Sequence, residues 1–321
     1  MTIALLVLKR LAAGVLLLLV LSLLIFSLLS LSPGSPVQTL LGSRPATPDL
    51  VAALNAKYHL DQPFLAQYWH WLSGVVRFDF GRSIAIQTDS PVSGIIVDRM
   101  GLSIQLSGYA FVLVLLVGLP LGMAAGIRRG TFLDRVISLF ATVGISGPAF
   151  VVSIVLLYVF GVALGWFPVF GIGEGFGDRL AHLTLPAIAM AVFLSAIIIR
   201  QTRAATLTVM RQDYITFARI RGLSPARVLG RYALRNSALP VVTSAGLLLI
   251  SALTAAVFVE QVFSLPGIGS LLYTAVLNKD IPLVQGMAMV LGAFVVVVNL
   301  IVDLLGLALD PRTRVGVKEG G

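Results

Sequence analysis

Apolar residues gather into six long runs, each long enough to cross the hydrocarbon core of a bilayer, about 30 Å thick and spanned by about 20 helical residues. The runs extend from Leu11 to Leu31, Gly101 to Ile127, Val136 to Gly165, His182 to Ile199, Ser237 to Val259 and Ile281 to Leu309. They predict six transmembrane helices, and the even number puts both termini on one side. The first run carries no charge, and its 21 residues exceed the about 7–15 of a signal-peptide core. It therefore reads as a retained helix. Pro120 alone interrupts the second run. Gly144, Gly147 and Pro148 predict a break or bend in the third, because proline removes a backbone hydrogen bond. Such a bend either shapes a path through the membrane or permits close helix packing.

Two segments between the runs are long enough to do more than connect helices. The pattern divides the chain into residues 1–31, an outer segment 32–100, a core 101–309 containing an inner loop at 201–236, and a tail 310–321. In the outer segment Pro33, Gly34 and Pro36 end the first helix, and Thr47 or Asp49 is placed to cap a helix through Tyr58. A second helix is predicted from Pro63 to Val76, with Phe64, Tyr68, Trp71, Leu72 and Val75 on one stripe. Tyr68, Trp69 and Trp71 suit a membrane-surface belt, where the ring is apolar and its polar tip reaches water. In the inner loop a helix is predicted to end at Gly222, which supplies either a positive φ or a close backbone approach. A new helix starts after Ser224, an N-cap residue followed by Pro225 at the first helical position.

Charge sets the orientation. Lys and Arg accumulate in cytoplasmic loops, and with the N-terminus inside, 16 of the 23 basic residues fall on the inner face, eight of them between Arg200 and Arg235. Both termini are therefore expected in the cytoplasm. A hydrophobic content of 58% and a mean hydropathy of +0.98 belong to a membrane protein. The net charge of +9 is no nucleic-acid signature, because the basic residues flank apolar runs instead of covering a soluble face.

Candidate chemistry is sparse. The chain has no cysteine and three histidines, His59, His70 and His182, so no metal-ligand spacing and no cysteine nucleophile arise. No G-x-x-x-x-G-K-[ST] phosphate loop is present. Glu260 and Asp303 fall near run ends and read as interfacial or helix-pairing groups, not proton relays. A proton-coupled transporter would need mid-span acids and commonly an inverted repeat, and an intramembrane enzyme would need paired acids or a metal motif.

The inner loop resembles the signature of ABC importer permeases, with matching positions at Ala218, Gly222 and the Leu239-Pro240 pair. Thr216 and Phe217 precede Ala218 where many permeases have Glu-Ala. Four further stretches are similar to the permease family for dipeptides, oligopeptides and nickel: DFGRS at Asp79 to Ser83, GISGPAF at Gly144 to Phe150, FVEQVFSLPGIGSLL at Phe258 to Leu272, and LDPRTR at Leu309 to Arg314.

The resemblance implies an all-α integral membrane protein with the six-helix fold of type I ABC importer permeases, in the bacterial cytoplasmic membrane. It implies a coupling helix from Asp213 to about Arg227 seated on a cytoplasmic ATPase subunit. There Tyr214, Phe217 and Leu223 would fill a groove, Ala218 and Gly222 would allow close approach, and Arg219 and Arg221 would make rim contacts. Gly144, Gly147, Pro148, Pro240, Glu260, Pro266 and Gly267 become candidate hinge or path positions. The implied partners are a second homologous permease forming a heterodimer, two ATP-binding subunits that hold ATP and Mg²⁺, and an extracytoplasmic substrate-binding protein. This chain is then no enzyme and needs no cofactor of its own. The implied substrates are di- or oligopeptides, with nickel, glutathione or haem as alternatives, and a secondary transporter or channel as the remote ones.

Overall fold

Backbone polar groups in hydrocarbon must be satisfied within their own segment, which leaves a chain of apolar runs little choice but helix. A computed structural model describes residues 3–31, 47–58, 61–224, 227 and 235–309. The predicted breaks at Pro33 to Pro36, the helix expected after Ser224 and the tail 310–321 lie outside the described residues. The helices are α1 (Ile3–Leu31), α2 (Pro48–Tyr58), α3 (Phe64–Val76), α4 (Val92–Ile127), α5 (Phe132–Ser146), α6 (Ala149–Leu156), α7 (Gly175–Met210), α8 (Asp213–Ile220), α9 (Arg235–Val262), α10 (Ile268–Leu277) and α11 (Ile281–Leu309). A π-helical turn, Leu157–Ala163, continues α6.

Among the described residues, four helices are long and apolar enough to cross a membrane: Val7–Ser27, Val92–Ile127, Gly175–Met210 and Ile281–Leu305. The count is five when the broken pair Phe132–Ser146 and Ala149–Ala163 is taken as one span. The third run is therefore not one straight helix. It turns through 101° where Gly147 takes an extended conformation after α5 and Pro148 precedes the first residue of α6. Hydropathy also ends the fourth run too early: α7 continues from Ile199 through Arg200 and Arg203 to Met210. Apolar content marks the bilayer, whereas the helix itself stops where its capping stops. Within α9, Leu248–Val262 is a shorter apolar helix.

The chain forms two compact units, one built on Ile104–Leu265 and the other on Val7–Ser103 with Pro266–Val297. In the first, α7 is the central helix, with 67% of its most apolar window buried, and it packs against α5, α6 and α9. Gly118, Gly122 and Gly126 let α4 approach it closely. A Cβ at Gly122 would lie 2.8 Å from the Ile199 carbonyl oxygen, and one at Gly126 3.0 Å from that of Arg203. Small residues at such crossings gain dispersion contact that lipid cannot supply equally well. Ala125, Ile137, Ala141, Ala196 and Ile199 fill the space beside them.

In the second unit Phe80, Val92, Ile95, Ile96, Leu283 and Met287 form the core. The aromatic stripe of α3 packs on α1. Phe26 lies 5.4 Å from Phe64, 5.6 Å from Tyr68 and 5.5 Å from Trp71 between ring centroids, and the Tyr68 hydroxyl is 2.7 Å from Ser22 Oγ. Tyr68 and Trp71 thus serve packing within the chain, and Trp69 is the exposed member of the predicted belt.

Candidate functional site

The C-terminal end of α7 carries the predicted coupling helix. Arg211 caps α7, and α8 begins two residues later at Asp213. Ile215 and Ala218 are buried with Val209, covered by Met210 and Leu223, so one side of the eight-residue helix is held against its own chain. The other side presents Tyr214, Phe217 and Ile220 at i, i+3 and i+6, and Phe217 and Ile220 are 64% and 76% exposed. A short helix fixed on one face, with an apolar stripe on the other, has the form of a groove-filling element.

Its end is a Schellman turn. Gly222 has φ +74°, and the Leu223 N–H donates to the Ala218 carbonyl at 3.2 Å, the 6→1 bond of that motif. Leu223 closes over Ala218 as the accompanying apolar contact. Ala218 is consequently turned inward and Leu223 half-buried. Arg221 and Gly222 are exposed, and the side chain of Arg219 lies outside the described residues. Ile220 was not singled out in the sequence, although its i+3 spacing from Phe217 was the available signal.

Nearby, a partly buried ion pair joins α7 to α5. Asp134 Oδ1 accepts from Arg203 Nε at 2.6 Å and Oδ2 from Arg203 Nη2 at 2.9 Å, a bidentate pairing. The Gly130 N–H donates to Oδ2 at 2.9 Å, and Thr131 Oγ1 accepts from the Asp134 N–H at 3.4 Å as N-cap of α5. Arg203 lies two turns before the end of α7, so the pair ties the root of α8 to the start of α5. The sequence shows both residues but not their partnership, 69 positions apart.

The hinge candidates divide. Gly147 and Pro148 sit at the break in the third run. Gly144 is a packing position, where a Cβ would lie 3.1 Å from the Val192 carbonyl oxygen of α7. Glu260 is fully buried in α9, and its carbonyl accepts from the Leu265 N–H at 2.8 Å across Ser264, whose φ is +52°. Gly267 precedes α10, and its N–H donates to Ser270 Oγ at 3.1 Å. Pro266 immediately precedes it, half-buried. Pro240 falls on the helical backbone of α9, its side chain outside the described residues.

A further carboxylate organises the segment that contains DFGRS. Asp280, fully buried, accepts from Ser83 Oγ and from the N–H groups of Ile84, Ala85 and Ile86 at 3.3, 3.1 and 3.2 Å. It also caps α11 through the Leu283 N–H at 3.4 Å. Amide and hydroxyl donors thus satisfy a carboxyl group that burial cuts off from water. The signal in the sequence was an Asp ahead of Ile281-Pro282, an N-cap pattern.

Residues 118–315 match the family described as binding-protein-dependent transport system inner membrane component, and residues 3–107 match the N-terminal component of such systems. The chain is 38% identical over 314 residues to a "Putative peptide permease protein" of Brucella suis, covering 96% of this chain and 98% of that one. It is 35% identical over 311 residues to a "Probable peptide ABC transporter permease protein" of Sinorhizobium fredii, and 34% identical over 308 residues to a glutathione transport system permease protein of Salmonella choleraesuis, with the same coverage. An inward-facing structure of the MetNI methionine ABC transporter superposes with a TM-score of 0.55 at 16% identity, covering 68% of this chain and 97% of that one, which is a likeness of fold. Helical spans and matched sequence agree that the chain is a multi-pass membrane permease of the binding-protein-dependent transport system inner membrane component family.

Proposed function

We propose that the chain is one of two permeases forming the translocation path of an ATP-driven importer of di- or oligopeptides in a bacterial cytoplasmic membrane. The observation that carries this reading is α8, whose Tyr214, Phe217 and Ile220 stripe faces outward while its other side is locked to α7. In this reading the stripe fills a cleft on a cytoplasmic ATP-binding subunit, which holds ATP and Mg²⁺, and the permease binds no cofactor. Arg221 makes a rim contact that tunes specificity more than affinity. Six spans, with both termini inside, follow from the apolar runs and the placement of Lys and Arg. A second, homologous permease completes a heterodimer, and a binding protein delivers substrate to the outer face. ATP-driven closure of the two ATPase subunits moves α8, and the path alternates between inward- and outward-facing states through the differential affinity of ATP for them.

Peptide is favoured by the names of the Brucella and Sinorhizobium relatives, and the Salmonella relative supports glutathione, itself a tripeptide, as the second reading. Uptake of labelled peptide into vesicles is the direct test. Transport is expected only with ATP, both ATPase subunits and the binding protein. Uptake by this chain alone under a pH gradient would contradict the importer assignment, and labelled glutathione in place of dipeptide decides between the two substrates.

A further inference from the structure

The sequence pattern places α3 in a segment outside the membrane, yet its contacts with α1 fall inside a membrane span. Tyr68 meets Ser22, and Phe64 and Trp71 meet Phe26, within the apolar run from Leu11 to Leu31. At about 1.5 Å per residue, Phe26 lies about 7.5 Å and Ser22 about 13.5 Å before the end of that run. A second run gives the same level. Gln285 Nε2 donates to the carbonyl of Ile25 at 3.3 Å, and Gln285 stands about 6 Å into the run that opens at Ile281. These residues belong to the same compact unit as α3.

The surface of α3 is three-sided. It carries no Asp, Glu, Lys or Arg between Asp61 and Arg77. At about 100° per residue, Phe64, Tyr68, Trp71 and Val75 share the side that meets α1. Leu65, Trp69 and Val76 stand about a quarter turn further round, 72%, 68% and 75% exposed. His70, Ser73 and Arg77 lie beyond them and are exposed too. Phe78 extends the open apolar side. It is 73% exposed and has φ +61° in a Schellman turn, where the Asp79 N–H donates to the Gly74 carbonyl at 2.9 Å and the Phe78 N–H to that of Val75 at 3.0 Å. Glycine is usual at that position, and a bulky ring is held there at a steric cost.

We propose that α3 is an interfacial helix, with Leu65, Trp69, Val76 and Phe78 embedded in lipid and His70 and Ser73 turned to headgroups and water. Helices of this kind bury an apolar face about 5–10 Å into the boundary between headgroups and acyl chains, the level at which α3 meets α1. Tryptophan favours the same boundary. Continuity selects lipid over a docking protein: α1 exposes Leu16, Val20, Leu23 and Leu24 as part of a membrane span, so lipid that covers α1 at these levels reaches α3 as well. A soluble partner would have to enter the bilayer to touch Leu65 or Trp69. The choice of outer leaflet rests on the orientation proposed above, whereas the lipid contact does not. Its consequence is a fixed height for the outer segment, because α3 leads through Phe78 into the DFGRS stretch that Asp280 holds.

Spin labels test the assignment in the full transporter in phosphatidylcholine nanodiscs. The chain has no cysteine, and cysteines are removed from the other subunits. Leu65→Cys, Trp69→Cys and His70→Cys are labelled singly, with Leu24→Cys as the lipid reference and Gln87→Cys as the water reference. All five positions are exposed, so the variants are expected to fold, and an unchanged gel-filtration profile verifies it. Power-saturation spectroscopy then compares collisions with oxygen, which partitions into hydrocarbon, and with a water-soluble nickel chelate. Labels at 65 and 69 should collide with oxygen as at 24 and avoid the chelate, while the label at 70 shifts toward the values at 87. Chelate collisions at 65 and 69 matching those at 87 would place the face in water and overturn the proposal. Slow collisions with both reagents there would mean that a protein covers it, which overturns the proposal equally. The readout uses neither ATP nor substrate, so its failure leaves the importer assignment standing, and a failed importer assignment leaves this result interpretable.

Discussion

At the scale of single residues, the tie between α5 and α7 depends on Asp134 and Arg203. The Asp134 side chain is 6% exposed and that of Arg203 31%. Arg203→Gln strands a buried carboxylate, and breaking a buried pair costs about 3–5 kcal/mol; partial exposure of the arginine reduces the expectation to about 2–3 kcal/mol. Asp134→Asn/Arg203→Gln removes both charges and should recover most of that loss. Thermal unfolding in detergent checks the pair, and additive losses would exclude a direct partnership. Gly222 is a separate case. Its φ of +74° disfavours any side chain, although a Cβ there would meet open space. Gly222→Ala should cost about 1 kcal/mol locally and leave transport largely intact. Gly222→Trp adds a bulky ring beside the docking stripe and should separate ATP hydrolysis from uptake without preventing membrane insertion. Parallel assays of hydrolysis and uptake distinguish the two, and normal coupling in Gly222→Trp would contradict the docking model.

At the scale of elements, Asp280 and the α4–α7 crossing are the positions where a small change has a large reach. Asp280→Ala leaves the Ile84, Ala85 and Ile86 amides without their acceptor, each charge-assisted bond being worth about 1.5–3 kcal/mol. Amide exchange in residues 83–91 should accelerate by orders of magnitude while α7 stays protected. Uniform acceleration would mean instead that the carboxylate supports the whole unit. At the crossing, Gly126→Leu puts a side chain where the Arg203 carbonyl and Thr206 already stand, and overpacking costs about 1–3 kcal/mol or more. Reduced yield of folded protein, measured by gel filtration, is the expected outcome.

For the whole molecule the open quantity is topology. The chain contains no cysteine, so single substitutions can be labelled against no background. Gln87→Cys and Ser224→Cys are both at exposed positions. In intact cells a membrane-impermeant maleimide should label the first and reach the second only after permeabilisation; the reverse pattern would invert the proposed orientation. The matched family, the relatives aligned over 96% of the chain and the apolar spans concern the same length of sequence, which makes this test informative for every segment at once.

Composition and periodicity determined by themselves that the chain is helical and belongs in a membrane, because bilayer thickness and helix rise are properties of solvent and backbone that any apolar run must meet; the docking reading of the loop at 201–236 rests on its resemblance to ABC importer permeases. Motif spacing found Gly222 because a helix exit with positive φ is local. Which face of α8 is free was a tertiary matter: only packing against Val209 and Leu223 turns Ala218 inward and leaves Ile220 outside. The same holds for the 101° break, whose site was legible in Gly147 and Pro148 but whose angle depends on what α5 and α6 pack against. The ion pair of Asp134 with Arg203 and the clamp of Asp280 join residues 69 and nearly 200 positions apart, and the sequence lists such charges without pairing them. Pairing is decided by which helices touch, and that follows from the summed packing of many small contacts that no single stretch of sequence contains.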